Sequence, residues 1–279
     1  MSRSAALGAV VAFAVAPAPA GARGRAVRRS SKRGVASSRY LRTSPSVLTR
    51  VGAAWAYDWS AQAPRRARGL DWVPMVWGSG SLTPAVLRSL TAAERRGQTR
   101  YLLGFNEPDS SSQASMSPEQ AARLWPELER TGLKLGSPAP AVPGDGWLAR
   151  FMSLAKRRRL RVDFIALHYY QDFTDPHAVD DLRRQLIGIH DRYRKPIWIT
   201  EIGAIDLRAW GEPMMRAPTF ARADAYMTSL FTMLDRLPFV QRYAWFTDDC
   251  WNHSDCRYGS LFTGRGHLTA AGRVFASAP

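Results

Sequence analysis

Cysteine occurs twice and histidine five times in 279 residues, too few for a disulfide-knit scaffold or a zinc-finger array. Acidic residues are also scarce: 23 Asp and Glu against 39 Lys and Arg, a formal net charge of +16. Beyond residue 22 no apolar stretch is long enough for a membrane span. No glycine-rich phosphate loop follows an early strand, which argues against a dinucleotide-binding open sheet. No helix-turn-helix, zinc-finger or RNA-recognition signature accompanies the positive charge. Charge alone would suit nucleic acid. Seven of the cations (Arg3, Arg23, Arg25, Arg28, Arg29, Lys32 and Arg33) precede Gly34 with no acid among them, which leaves +9 for the rest of the chain. That remainder is spread as single Arg residues on expected helix faces, so it reads as solvated surface, with no nucleic-acid partner.

Tryptophan is what the chain has in excess, with 10 residues. Indoles give large, stiff faces that suit either a core or the apolar C–H faces of sugars. At the N-terminus, Met1-Ser2-Arg3, the apolar run Ala5–Ala16 and small residues around Ala18-Pro19-Ala20 and Ala20-Gly21-Ala22 form a signal-peptide pattern over residues 1–22. Export to the extracellular space follows; targeting to an organelle is the alternative for so Arg-rich a start. Residues 23–31 form a basic linker, and residues 32–279 a single domain. Cys250 and Cys256 are close in sequence, which in an exported chain favours a disulfide pinning one loop. A metal site on Cys250, His253 and Cys256 would lack an evident fourth ligand; no metal or organic cofactor is expected.

From Lys32 onward, β-rich runs alternate with helical ones, the pattern of an α/β fold with a parallel sheet. Eight strand candidates are Lys32–Ala36, Ala53–Trp59, Asp71–Trp77, Tyr101–Glu107, Leu133–Ser137, Val162–Tyr170, Ile197–Glu201 and Arg242–Thr247. Pro74 weakens the third, since proline cannot donate to a ladder. Helices are expected after Thr83-Pro84 and Ser117-Pro118, and over Asp145–Leu160, Val179–Tyr193, Phe220–Leu237 and Thr269–Phe275. Eight strands with interleaved helices at this length predict a (β/α)8 TIM barrel. An open doubly wound sheet is the structural alternative.

In such a barrel the catalytic groups sit at the C-terminal strand ends. Glu94, Glu119, Glu127 and Glu129 fall in helical segments and Glu212 in a loop; only Glu107 and Glu201 close apolar strands. Glutamate is disfavoured in strands on propensity alone, so the pair points to chemistry. Two carboxylates at a barrel mouth suit glycosidic cleavage, where one protonates the leaving oxygen and the other captures the oxocarbenium-like centre. Further candidates near the expected mouth are Asn106, His168, Tyr170 and the sugar platforms Trp55, Trp59, Trp77, Trp245 and Trp251. Asp58, Asp109, Asp248 and Asp249 could bind hydroxyls or cap loops. Strict alternation would turn Asn106 away from the side that Glu107 faces, so both reach the site only if the strand end twists or bulges.

Asn106-Glu107-Pro108 after the fourth strand and Glu201 after the seventh resemble the retaining glycosidase clan whose acid/base and nucleophile occupy those ends. More narrowly, the chain resembles glycoside hydrolase family 128, endo-β-1,3-glucanases with a glycosyl hydrolase catalytic core. The resemblance is carried by Lys32-Arg33-Gly34, Trp72–Gly78, Gly104–Asp109, Gly136-Ser137-Pro138, His168-Tyr169-Tyr170, Trp198–Gly203 and Tyr243–Phe246. It implies Glu107 as acid/base, Glu201 as nucleophile, and Asn106 bonding the sugar 2-hydroxyl. It implies β-glucan as partner; a monomer is expected, and no cofactor is needed because both catalytic groups are side chains. A retaining enzyme on another β-linked polysaccharide, and a non-catalytic glucan-binding barrel, are the alternatives.

Overall fold

The computed structural model describes residues 30–65, 68–144 and 146–278. The expected signal segment, residues 23–29 of the expected linker, and Asp145 lie outside the described residues. The strands are β1 Arg33–Ala36, β2 Trp55–Tyr57, β3 Asp71–Trp72, β4 Tyr101–Leu102, β5 Lys134–Leu135, β6 Ile165–Tyr169, β7 Ile197–Ile202 and β8 Val240–Phe246. The helices are α1 Tyr40–Thr43, α2 Ser46–Arg50, α3 Pro84–Arg95, α4 Pro118–Glu129, α5 Trp147–Arg158, α6 Ala178–Tyr193, α7 Phe220–Arg236 and α8 Ala270–Ser277. All eight strand candidates contain a strand, and all six helix candidates a helix. Short α1 and α2 have no counterpart in the sequence reading.

The pairing is parallel throughout the ladders. One sheet runs β3-β2-β1-β8-β7-β6, and β4 pairs with β5 separately. Between these two sheets stand single parallel bridges, Met75 to Leu103 and Gly136 to Phe164. The described residues therefore form an α/β fold with parallel strands, without a continuous eight-stranded ladder. The third and fourth strands are shorter than expected, and Pro74 is one physical cause. It offers a carbonyl, which accepts from Leu103 N–H at 2.9 Å, but has no N–H to return.

Alternate residues serve two layers. Val35, Ile165, Leu167, Ile197, Ile199 and Tyr243 pack outward with α4, α5 and α7 residues such as Trp125, Phe151 and Phe231. Ala36, Trp55, Tyr57, Phe164, Ala166, Trp198 and Ala244 fill the inner side of the sheet. Helix starts follow the sequence signals: Thr83, Ser117, Thr219 and Thr269 each accept from a backbone N–H three residues on. Beneath the inner layer, the Arg242 guanidinium lies 4.6 Å from the Trp198 ring, 4.9 Å from Tyr101 and 5.5 Å from Trp55, and bonds Asp71 at 2.7 Å. That cation–aromatic stack fills the floor with apolar faces around one charge paired with Asp71.

The seam between β8 and β1 is tied by Asp248. Its buried carboxylate accepts from the N–H of Ser38 at 2.8 Å and of Tyr40 at 2.7 Å, and from the Ser37 hydroxyl. Asp109 ties the β4 and β5 loops by accepting from Ala141 and Val142 N–H at 2.8 and 3.0 Å. Asp58 pairs with Arg42, and Asp249 with Arg39. All four aspartates thus hold loops in place. No helix among the described residues is long and apolar enough to cross a membrane.

Candidate active site

Glu107 and Glu201 are 94 residues apart by number and meet at the C-terminal ends of the parallel strands. One oxygen of each and one ring nitrogen of His168 all lie within 4.8 Å of one another. Neither glutamate arrives by simple strand alternation. Glu107 has φ +40°, in the left-handed region that non-glycine residues rarely enter. This reverses the facing that a regular strand would impose on the residue after Asn106. In β7, Leu167 is paired with Ile199 but the next residue, His168, with Glu201, so Thr200 is the extra residue of a bulge. Without it Trp198 and Thr200 would face inward and Glu201 outward. With it Glu201 reaches the inner side while Ile202 returns to the outer core.

The two carboxylates have different surroundings. Glu201 is buried and held by three donors. Its Oε1 accepts from the Tyr57 hydroxyl at 2.9 Å and the Trp59 indole N–H at 2.7 Å, and its Oε2 from the Tyr170 hydroxyl at 2.6 Å. Burial, and then the negative charge of Glu201, push both phenols well above their ordinary range, so they remain donors. Glu107 is more open and has one side-chain partner among the described residues, His168 Nδ1 at 2.8 Å from Oε1. His168 is wholly buried between the two acids, with Nε2 at 3.3 Å from Glu201 Oε1 but unaligned for a hydrogen bond. Burial acts to lower the imidazole; the charge of Glu201 and the contact with Glu107 outweigh it, and the net direction is upward.

Two grooves flank this pair. One, of about 590 Å³, is lined by Ser38, Arg42, Asp58, Trp59 and Met75. The other, of about 500 Å³, is lined by Tyr170, Gln171, Val142, Gln185 and Arg192. Trp59 and Tyr170 each line one groove and hold opposite oxygens of Glu201, so the carboxylate sits between the two. The Phe246 ring contacts Trp59 and Tyr170 edge-on at 5.9 and 5.8 Å, and the Phe246–Thr247 peptide is cis.

Among the sequence candidates, two tryptophans are corrected. Trp55 is fully buried in the inner layer, its N–H bonded to Lys32 O at 2.9 Å. Trp245 is fully buried in the outer layer, its N–H bonded to Gly259 O at 2.7 Å. Neither presents a face to a sugar; both are core. Trp59 is half-buried and bonds the Glu201 carboxylate by its edge. Trp77 is half-buried against the inner layer. Trp251 is 36% exposed and stacked on Phe220 at 5.7 Å. Asn106 is buried, with Nδ2 donating to Gln113 at 3.2 Å.

Cys250 and Cys256 are joined as a disulfide. Their sulfurs are therefore unavailable to the metal site weighed as an alternative. The disulfide packs with Ile205, Leu207, Tyr170 and Phe246, against the wall of the site.

Sequence reasoning overlooked three contributors. Tyr57 was legible as an inward partner of Trp55 by the period of two. Trp210 stands edge-on to Tyr170 at 5.7 Å and is 53% exposed. Gln113, which holds Asn106, gave no signal in the sequence.

Paired carboxylates at the ends of parallel strands, one buried and fixed by three donors and one part-exposed, are the arrangement of a glycoside hydrolase. The glycosyl hydrolase catalytic core family model matches residues 39–275, and the chain belongs to that family. Within it, the chain is a member of glycoside hydrolase family 128. It is 37% identical to a subgroup I endo-β-1,3-glucanase of that family from Amycolatopsis mediterranei, solved with laminaritriose. The TM-score is 0.78, covering 90% of this chain and 100% of the other. A subgroup II endo-β-1,3-glucanase from Sorangium cellulosum is 29% identical, with a TM-score of 0.72 over 89% of this chain and 98% of that one. Alkali-sensitive linkage protein 1 of Schizosaccharomyces pombe is 31% identical over 205 residues, 70% of this chain. The chain spans 34% of the length of that curated relative.

Proposed function

We propose that this protein is a secreted, monomeric endo-β-1,3-glucanase that hydrolyses β-1,3-glucan with retention of configuration. Glu201 is the nucleophile and Glu107 the acid/base. The observation that carries the reading is that one oxygen of each carboxylate lies within 4.8 Å of the other, too close for the wide spacing of an inverting pair. Retaining enzymes place the pair at roughly 5–5.5 Å, whereas inverting ones need about 6.5–9.5 Å to admit water between them. The surroundings support the division of roles. Three donors orient Glu201 as a carboxylate for attack on the anomeric carbon. Glu107, part-exposed and with His168 as its side-chain partner, is placed to move a proton to and from the substrate.

Glu107 protonates the glycosidic oxygen while Glu201 bonds to the anomeric carbon; the sugar–oxygen bond breaks and the aglycone leaves. Glu107, now a carboxylate, takes a proton from water as the water oxygen displaces Glu201. Endo action is supported by grooves on both sides of Glu201, and β-1,3-glucan by the laminarioligosaccharides bound to the relatives. Trp59, Trp77 and Trp251 remain the platforms for sugar rings, and Asn106 the partner of the 2-hydroxyl. We read the eight parallel strands as a (β/α)8 barrel, with the Met75–Leu103 and Gly136–Phe164 bridges as its two weakly paired seams. Export rests on the signal pattern of residues 1–22.

The test is hydrolysis of linear β-1,3-glucan, with product anomers followed by NMR. Retention, an internal-cleavage product spectrum, and loss of activity by orders of magnitude in Glu201→Gln with rescue by azide are expected. Inverted product, or Glu201→Gln as active as wild type, overturns the assignment.

A further inference from the structure

His168 is used by neither step written above, yet it is wholly buried and lies between the two acids. Its two ring nitrogens are in unequal positions. Nδ1 is 2.8 Å from Glu107 Oε1; Nε2, 3.3 Å from Glu201 Oε1, makes no hydrogen bond. A protonated Nε2 this near a carboxylate would align with it. The geometry therefore fits the neutral tautomer with its hydrogen on Nδ1, donating to Glu107 Oε1. Of the two Glu107 oxygens, this leaves Oε2 to carry the acid proton.

We infer that Glu107 and His168 hold the acid proton jointly, which makes His168 a positioning residue that sets the protonation of the acid/base. The inference rests on the retaining reading of the site. The couple has two forms of equal charge: Glu107 as acid beside neutral imidazole, and Glu107 as carboxylate beside imidazolium. Only the first can protonate a leaving group; in the second the proton sits on Nε2, on the Glu201 side of the ring. The groups that face the ring are Glu107 and Asp109 at the end of the fourth strand and Glu201 on the seventh. Tyr57 and Tyr170, both neutral, face the same carboxylate from the second and sixth strands.

The charge of Glu201 favours retention of the proton on the couple. During glycosylation, the proton leaves Glu107 Oε2 for the glycosidic oxygen, and the bond between that oxygen and the anomeric carbon breaks. The electron pair of that bond goes to the departing oxygen, and a Glu201 oxygen bonds to the carbon. The Glu201 charge vanishes in the ester, so the couple no longer gains by holding an extra proton. Glu107 is left as a carboxylate oriented by His168 Nδ1–H, the form needed to accept the proton of water. When the ester breaks, its pair returns to Glu201 and the proton taken from water restores the couple.

The test is the pH profile of kcat/KM on a soluble β-1,3-glucan for wild type and His168→Gln. Glutamine keeps an N–H donor for Glu107 but cannot store the proton. The alkaline limb belongs to the coupled pair in wild type. It is expected to move to lower pH by about one unit or more in the variant. An aryl glycoside with a 2,4-dinitrophenolate leaving group, which needs no acid, should lose far less of its glycosylation rate. An alkaline limb at the same pH in both proteins, with activity lowered evenly at all pH values, overturns the proposal. The second measurement needs no turnover: the nitrogen-15 shifts of His168 are titrated in wild type and Glu107→Gln. Removing the carboxylate should lower the pH at which His168 titrates; an unchanged titration overturns the sharing. A wild type inert on every β-1,3-glucan would defeat the functional reading, while the nitrogen-15 titration would still decide the couple.

Discussion

The Trp59 indole N–H donates to Glu201 Oε1 at 2.7 Å from a backbone with φ +59°. A left-handed tryptophan is uncommon, and strain of that kind persists where surrounding structure fixes it. Here it aims an indole edge at a buried carboxylate. Trp59→Phe keeps an aromatic ring and removes the donor. A hydrogen bond to a charged group contributes about 1.5–3 kcal/mol, so kcat/KM should fall roughly tenfold to a hundredfold. Steady-state kinetics beside a melting curve would check it; a fall confined to melting temperature would count against an electrostatic role.

Gly203 directly follows β7. A Cβ placed there would meet the Phe246 carbonyl oxygen at 2.5 Å, and a backbone atom cannot swing aside. Gly203→Ala should therefore push the β7 and β8 ends apart beside Glu201. Overpacking of this kind costs about 1–3 kcal/mol, a fall of roughly 2–12 °C in Tm for a domain of this size. Activity should fall further than the stability loss explains. Calorimetry with kinetics below the transition separates the two effects.

The Cys250–Cys256 disulfide closes a short loop, with a sequence separation of 6. Short loops gain least from cross-linking, about 2 kcal/mol in the chain-entropy account. The sulfurs also pack with Ile205, Leu207 and Tyr170. Replacing both cysteines with serine should lower Tm modestly and loosen the Tyr170 wall, raising KM more than it lowers kcat. An unchanged KM would show that the loop does not support the groove.

His168 ties stability to pH. Burial alone would lower its proton affinity, but Glu201 and Glu107 raise it overall. A histidine with a raised folded value contributes stability that is complete below its unfolded value near 6.5, and that is lost as pH rises through the higher folded value. The difference in urea midpoint between wild type and His168→Gln should be greatest in mildly acidic buffer and shrink toward alkaline pH. A difference that grows with pH would contradict the sign.

The two acids could be found in the sequence because each closes an apolar strand, where glutamate has no packing reason to be. How they reach one another could not. The φ of Glu107 and the extra residue at Thr200 leave no mark in composition or spacing, since both arise from how neighbouring strands pair. The concern that Asn106 and Glu107 would face opposite ways identified the right strand end, and backbone geometry resolved it. The tryptophans divided unevenly for a related reason. Trp55 and Trp245 lie inside β2 and β8, where both faces are covered, whereas Trp251 lies on a pinned loop. Position within a strand separates core from surface better than residue type does. The continuous barrel ladder was expected from strand count alone, and count says nothing of how long each pairing runs; β3, β4 and β5 are two residues each.

The bulge in β7 also constrains how the chain pairs at one place. Were Thr200 paired with His168 and the bulge lost, β7 would still pair and still bury Ile197 and Ile199. Its register beyond Ile199 would slip by one residue, and the carboxylate would rotate to the helix side of the sheet. Such a protein could fold and yet be inert. The reaction thus depends on an irregularity of pairing as well as on the glutamate that it aims.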